Sequence, residues 1–133
     1  LSRERAAEAQ RQLAARLGPS QAHVEVRAGP ALQTLHELAR AGDAPFDLIF
    51  LDADKRALLE YYEFILQHHL LSPHGLLVVD NVLQGERVLQ PATEHDTRTA
   101  AVQLFNERVR DDTRVRAVML PVRDGLSIIS RRC

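Results

Sequence analysis

The sequence predicts an α/β fold: a mostly parallel sheet covered by helices and finished by an antiparallel hairpin. Three observations carry this. Strand-like and helix-like segments alternate through most of the 133 residues, the pattern of parallel sheets with helical crossovers. Two apolar runs, FDLIFLD and GLLVVD, each stop at a carboxylate and are separated by one helix-length segment, so a parallel pairing puts both acids on one sheet edge, where α/β proteins bind ligands. The last two strand-like runs are joined through Arg123-Asp124-Gly125, a connection too short for a parallel crossover, which makes them a hairpin.

From Ser2, a suitable N-cap, residues 2–17 place Ala6, Ala9, Leu13 and Leu17 on one helical stripe, and Gly18-Pro19 ends it. HVEVRA, residues 23–28, alternates as a short strand, and Gly29-Pro30 turns into a second helix with Leu32, Leu35 and Ala39 on one face. Residues 42–45 read as a loop. FDLIFLD is nearly continuously apolar, as expected of a strand buried on both faces. The next helix carries Leu59, Tyr62, Leu66 and Leu70, and residues 72–75 break it before GLLVVD. Residues 83–96 have few periodic apolar positions and contain Gly85 and Pro91, so they read as a long loop. A last helix, with Val102, Phe105 and Val109 inward, leads to VRAVMLPV and GLSIIS. There is no internal repeat or linker, and the expectation is a single domain over residues 1–133.

With 45% apolar residues the chain can bury an ordinary core. A formal net charge of −1, with both signs spread along the chain, supplies no basic stripe for nucleic acid and no polybasic patch for a membrane, so neither is an expected partner. No apolar run approaches the roughly 18 residues of a membrane-spanning helix. Cys133 is the one cysteine, and the absence of a disulfide framework fits a reducing cytoplasm. Aromatic residues are 5% with no Trp, which argues against a stacking platform for single strands.

The strand ends are where chemistry gathers. Neighbouring strands lie about 4.8 Å apart, so Asp52 and Asp80 can converge on one ion and Asn81 can add an amide oxygen. Hard oxygen donors in this number suit Mg²⁺ first, which keeps other positions for water or substrate oxygens. The bland alternative is that acids at strand ends cap the next turn, common for Asp52 and Asp54 in DADK. Lys55 is the one lysine among many arginines and stands three residues after Asp52. Near a bound cation its pKa falls, and a lysine so tuned serves as a general base; otherwise it is a solvated surface lysine. His68, His69 and His74 lack metalloprotease spacing or a cysteine partner, so capping or exposure is the better reading than zinc. No serine sits in a nucleophile elbow. Gly29-Pro30-Ala31 is the nearest approach to a nucleotide-binding glycine turn, and it is no GxGxxG.

GPALQTL, FDLIFLDADK, LLSPHGLLVVDNVL and MLPVRDGLSIIS occur in an order and spacing that resembles the metal-dependent O-methyltransferases of the caffeoyl-CoA and catechol type. The resemblance covers essentially the whole chain, and DADK followed by a strand ending in DN is its most specific part. It implies a Rossmann-like class I methyltransferase sheet with an antiparallel C-terminal hairpin, S-adenosylmethionine as cofactor, a divalent cation, a small phenolic acceptor and a homodimer. Residue by residue, it implies that Asp52, Asp80 and Asn81 bind the metal, that Asp52 also stands close to the acceptor hydroxyl, that Ala31 and Asp54 lie against S-adenosylmethionine, and that Lys55 is the base.

The chain departs from the family pattern in two places. Gln84 stands where the family usually has Trp, and Gly85-Glu86-Arg87 follows. The family's first strand-helix-strand unit, with its Gly-rich methionine loop and a ribose-binding acid, has no counterpart before Leu1. The expectation is therefore a fragment, or a chain that must associate to bury its edges, and one that binds S-adenosylmethionine poorly. From another class, a noncatalytic α/β interaction module is the alternative, favoured by the absent cofactor loop. A receiver-like Mg²⁺ domain on LIFLDAD lacks the further acids and the later lysine it needs.

Overall fold

A computed structural model describes residues 2–17, 24–42 and 45–132. The chain falls into two compact units, residues 1–42 and 43–133, each with its own internal packing.

The first unit holds two helices. Helix α1, Arg3–Leu17, starts after Ser2, whose hydroxyl accepts the Arg5 N–H at 3.3 Å. Its apolar stripe is thin: Ala6 is buried, whereas Leu17 is exposed. Helix α2, Ala31–Ala41, begins after Pro30 and ends at Gly42 in the left-handed conformation (φ 68°), the usual glycine C-cap. Of the strand expected at HVEVRA, His23 lies outside the described residues, and residues 24–28 form no ladder. Their alternation needs a neighbouring strand, and here a side chain substitutes for one. The Gln10 amide donates to Val24 O at 2.8 Å and accepts the Val26 N–H at 2.7 Å, satisfying the backbone groups a partner strand would take.

The second unit is a four-stranded sheet with two helices. Strands β1, Phe46–Leu51, and β2, Leu71–Asp80, pair in parallel through helix α3, Leu58–Gln67. Helix α4, Thr97–Asp111, leads to β3, Val115–Leu120, and β4, Leu126–Arg131, and the strand order is β1-β2-β4-β3. The expected hairpin is present, β4 pairing antiparallel with both β3 and β2.

Residues 72–75 do not precede the second strand; they lie within it. The register steps from Phe46 opposite Leu71 to Leu48 opposite Leu76, so the Ser-Pro-His-Gly stretch is absorbed as an irregularity. A Cβ on Gly75 would stand 2.9 Å from Phe46 O, the close backbone approach that glycine permits in a bulged strand. Ser72 Oγ donates to Asp47 Oδ1 at 2.8 Å and ties the two strands there.

One sheet face carries the core. Leu77, Val79 and Ile129 are fully buried, together with Leu58, Tyr62 and Ile65 of α3 and Val102 and Phe105 of α4. Tyr62 and Phe105 meet edge-to-face with ring centroids 5.8 Å apart, a geometry worth roughly 0.5–1.5 kcal/mol beyond area burial. The inward positions expected for the last helix, Val102, Phe105 and Val109, are all buried.

The opposite face corrects the reading of β1 as buried on both sides. Leu48 is 63% and Phe50 61% exposed. They pair in register with Leu76 and Val78, and Val78 pairs with Ile128, itself opposite the exposed Val118. Because β1 is an edge strand and α3 and α4 bury the Leu77–Val79 side, its alternate side chains point away from this unit's core.

Candidate active site at the carboxyl edge of the sheet

Parallel pairing decides where the acids stand. Leu51 is opposite Val79, so Asp52 and Asp80, each the next residue along its strand, leave the same edge side by side. The antiparallel β4 joins this edge from the other direction: Asp80 pairs with Leu126, which brings Asp124-Gly125 beside residues 82–84.

Asp52 is half exposed and Lys55 is 4% exposed; Lys55 Nζ donates to Asp52 Oδ1 at 2.8 Å. Lys55 opens a short 3-10 turn, Lys55–Ala57, that the strand runs into. Burial of a long ammonium side chain is uncommon without an acidic partner, and Asp52 is that partner. Asp54 is the N-cap of the same turn, its carboxylate accepting the Arg56 N–H at 3.2 Å. The capping role considered for the DADK acids is thus occupied by Asp54, while Asp52 takes the buried lysine.

Asp80 is half-buried and its Oδ1 accepts the Asn81 N–H at 2.7 Å. Asn81 is left-handed (φ 59°), and so are Gln84, Gly85 and Glu86 (φ 49°, 61° and 69°). For L-residues this conformation costs roughly 1–2 kcal/mol each, and such strain concentrates where structure is held for function. What holds it is the β3–β4 turn. Val82 N–H donates to Gly125 O at 3.2 Å, and Leu83 and Gln84 N–H donate to Asp124 O at 2.7 and 3.2 Å. Asn81 Nδ2 donates to Asp124 Oδ2 at 3.4 Å.

Gly125 is required at this junction, since its φ is 85° and a Cβ there would lie 2.5 Å from Leu83 Cγ. Gly125→Ala is expected to cost about 1–3 kcal/mol of stability through strain and overpacking, measured by urea denaturation. A variant as stable as the parent would show that the 82–84 segment is not pinned by this turn.

Among the described residues no group of three or more His, Cys, Asp or Glu side chains is placed to hold a metal ion. What the edge presents is two carboxylates with one adjacent amide, an all-oxygen set of the chemistry that Mg²⁺ takes. Ala31, expected at the cofactor, is the first residue of α2 and belongs to the other unit. Asp124 was not visible from the strand ends: it lies 43 residues from Asn81, and the Asp-Gly turn signal marked a hairpin but not its neighbour. Gln84 stands out in the sequence only as a departure from the family pattern, and Thr99, its partner here, carries no local signal. Thr99 Oγ1 lies 2.7 Å from Asp96 Oδ2 and 3.2 Å from Gln84 Oε1, which anchors the strained loop to the start of α4.

No helix among the described residues is long and apolar enough to cross a membrane. In comparisons with known proteins, the family model described as O-methyltransferase matches residues 3–132. A mouse protein named catechol O-methyltransferase domain-containing protein 1 is 46% identical over 106 residues, 79% of this chain and 39% of that protein. Probable caffeoyl-CoA O-methyltransferase 1 of Dictyostelium discoideum is 34% identical over 109 residues, 81% of this chain and 46% of that protein. The chain thus spans less than half the length of these relatives. Among solved structures, an O-methyltransferase from Bacillus cereus in complex with SAH superposes with a TM-score of 0.85 at 29% identity, covering 98% of this chain and 60% of the other. The O-methyltransferase TomG from Streptomyces achromogenes, in complex with SAM, superposes at 0.81 and 30% identity, covering 96% and 57%. With a family match over nearly its whole length and the superposition of its fold, the chain belongs to the O-methyltransferase family.

Proposed function

We propose that this chain carries the acceptor side of an enzyme that transfers a methyl group from S-adenosylmethionine to a hydroxyl of a small phenolic acceptor with vicinal oxygens, and that it needs a divalent cation, Mg²⁺ first. The observation that carries this reading is the Leu51–Val79 register, which sets Asp52, Asp80 and Asn81 together on one edge of a family-matched fold. Cofactor-bound relatives support S-adenosylmethionine. Ala31 and Asp54 are the residues assigned to contact it. Homodimeric assembly and a cytoplasmic setting complete the proposal.

Asp52, Asp80 and the Asn81 amide oxygen would hold the cation, which when bound supplies a Lewis acid that favours the ionised acceptor hydroxyl. The remaining work falls to the chain. Asp80 fixes the start of the strained loop by accepting the Asn81 N–H, and Asp124 fixes the Asn81 amide. Lys55 would take the hydroxyl proton. Its ammonium donates to Asp52 at 2.8 Å; to act as base it would first release a proton to solvent, and the neutral amine, still beside Asp52, would then accept the hydroxyl proton. The ionised acceptor oxygen would form its bond to the methyl carbon as the carbon–sulfur bond breaks in line, S-adenosylhomocysteine leaving as a neutral thioether, with alignment contributing much of the rate. No covalent enzyme intermediate is required.

The test is metal stripping and return on the full-length protein, with labelled methyl transfer to catechol as the readout. Activity is expected to vanish with chelator and to return with Mg²⁺. Full-rate transfer by the stripped protein would refute the cation's role.

A further inference from the structure

Beside the two carboxylates, the loop after Asn81 and the start of α4 border an open concavity of about 390 Å³ lined by Asn81, Gln84, Gly85, Arg87, Arg98 and Asp124. Its volume lies in the range of small-molecule sites. Its charge is the informative part. Arg87 and Arg98 come from different elements, a 3-10 turn, Arg87–Leu89, and the first turn of α4. Among the described residues their side chains make no ion pair or hydrogen bond.

Of the acids nearby, Glu86 is exposed and does not line the concavity, and two others are already engaged. Asp124 accepts from Asn81 Nδ2. Asp96, the N-cap of α4, accepts the Thr99 N–H at 3.0 Å and the Thr99 hydroxyl at 2.7 Å; it feels both guanidiniums without pairing with either. The lining therefore carries two cations against one carboxylate. Both arginines face the concavity that contains Asn81, and the left-handed run at 84–86 is what turns Arg87 toward it.

We propose that Arg87 and Arg98 are specificity-determining residues that select acceptors bearing an anionic group, a carboxylate or phosphate, apart from the phenolic oxygens. Guanidinium groups suit this task because their planar fork matches either oxyanion. The proposal rests on the methyl-transfer reading above and names the acceptor class for that site. The phenolic end lies at the Asp52–Asp80–Asn81 edge, and the anionic end extends past Gln84 between the two arginines.

The experiment compares kcat/KM of the full-length protein for catechol, 3,4-dihydroxybenzoate, a catechol bearing a phosphate ester, and dopamine. The anionic acceptors are expected to lead, and the better of the two identifies which oxyanion the arginines take. Charge-assisted hydrogen bonds of this kind predict that Arg87→Gln combined with Arg98→Gln lowers the anionic-to-neutral ratio about tenfold or more. Arg87→Glu with Arg98→Glu should move the preference toward dopamine, a reversal that a structural role would not produce, and Arg87→Lys should keep part of the ratio. If catechol and the anionic acceptors are used equally, or the ratio survives the double glutamine variant, the proposal is overturned while methyl transfer stands. If no acceptor is methylated, the methyl-transfer reading fails and takes the proposal with it.

Discussion

Asp80→Ala in the full-length protein is expected to lower methyl transfer by about 10³-fold, equivalent to roughly 4 kcal/mol of transition-state stabilisation. Two losses combine. The variant removes one of the two carboxylates the sheet edge presents, and it removes the acceptor of the Asn81 N–H, which releases an L-residue held at φ 59°. The side chain is half-buried at a strand end, so the fold should tolerate the change, and a thermal midpoint near the parent's separates lost chemistry from lost structure. Asp80→Asn keeps an oxygen for Asn81 but not the charge. It is expected to be nearly as inactive if charge matters, and close to the parent if Asp80 is only a cap. Steady-state assays of the two variants at several Mg²⁺ concentrations distinguish the cases. Parent-level rates from Asp80→Ala would remove Asp80 from the site.

The second large effect is on stability, far from that edge. Asp112, whose side chain is 2% exposed, follows α4 and accepts from Tyr62 of α3 at 2.8 Å, from the Arg114 N–H at 2.8 Å and from the Arg114 guanidinium at 2.7 Å; Arg108 stands 3.3 Å away. Glu63 pairs with both arginines at 2.7 Å. This network clamps α3, the end of α4 and the entry to β3. The Arg114 guanidinium, above all, holds the Asp112 carboxyl well below the usual carboxylate range.

Asp112→Ala leaves the fully buried Tyr62 hydroxyl without its acceptor, at a cost of about 2–4 kcal/mol. The lower part of that range is favoured because Arg108 and Arg114 are partly exposed and can turn to water. Urea denaturation measures it, and the same change in a Tyr62→Phe background should cost less, since the orphaned hydroxyl is then absent. A cost below about 1 kcal/mol would show the network to be dispensable. The pH dependence has a definite sign. A carboxyl with a depressed folded-state pKa stabilises fully above its unfolded value near 4 and loses that contribution as pH falls toward the folded value. The parent should therefore lose stability more steeply than Asp112→Ala on acidification from about pH 5 to pH 3.

Local periodicity made most of the second unit readable. The runs FDLIFLD and GLLVVD, the helix between them and the final hairpin all appear in the structure with their expected order and pairing. The shared acidic edge was readable too, because the end of an apolar strand is a local signal and parallel pairing follows from a helix-length connection. Residues 24–28 of HVEVRA form no strand, for the converse reason. Alternation shows what a segment can pair with, not whether a partner is present, and Gln10 took that place through two hydrogen bonds.

The amino-acid order thus determines the class of fold, the acidic strand ends and the family motifs. Other features depended on contacts between residues far apart in the chain. Asp124 reaches Asn81 because β4 runs antiparallel beside β2. Arg87 and Arg98 share a concavity because three successive left-handed residues fold the loop back toward α4. Tyr62 and Asp112 meet across 50 residues in a buried pair. No local pattern encodes such meetings, since they follow from register and packing, which are settled when the elements compete for one buried face.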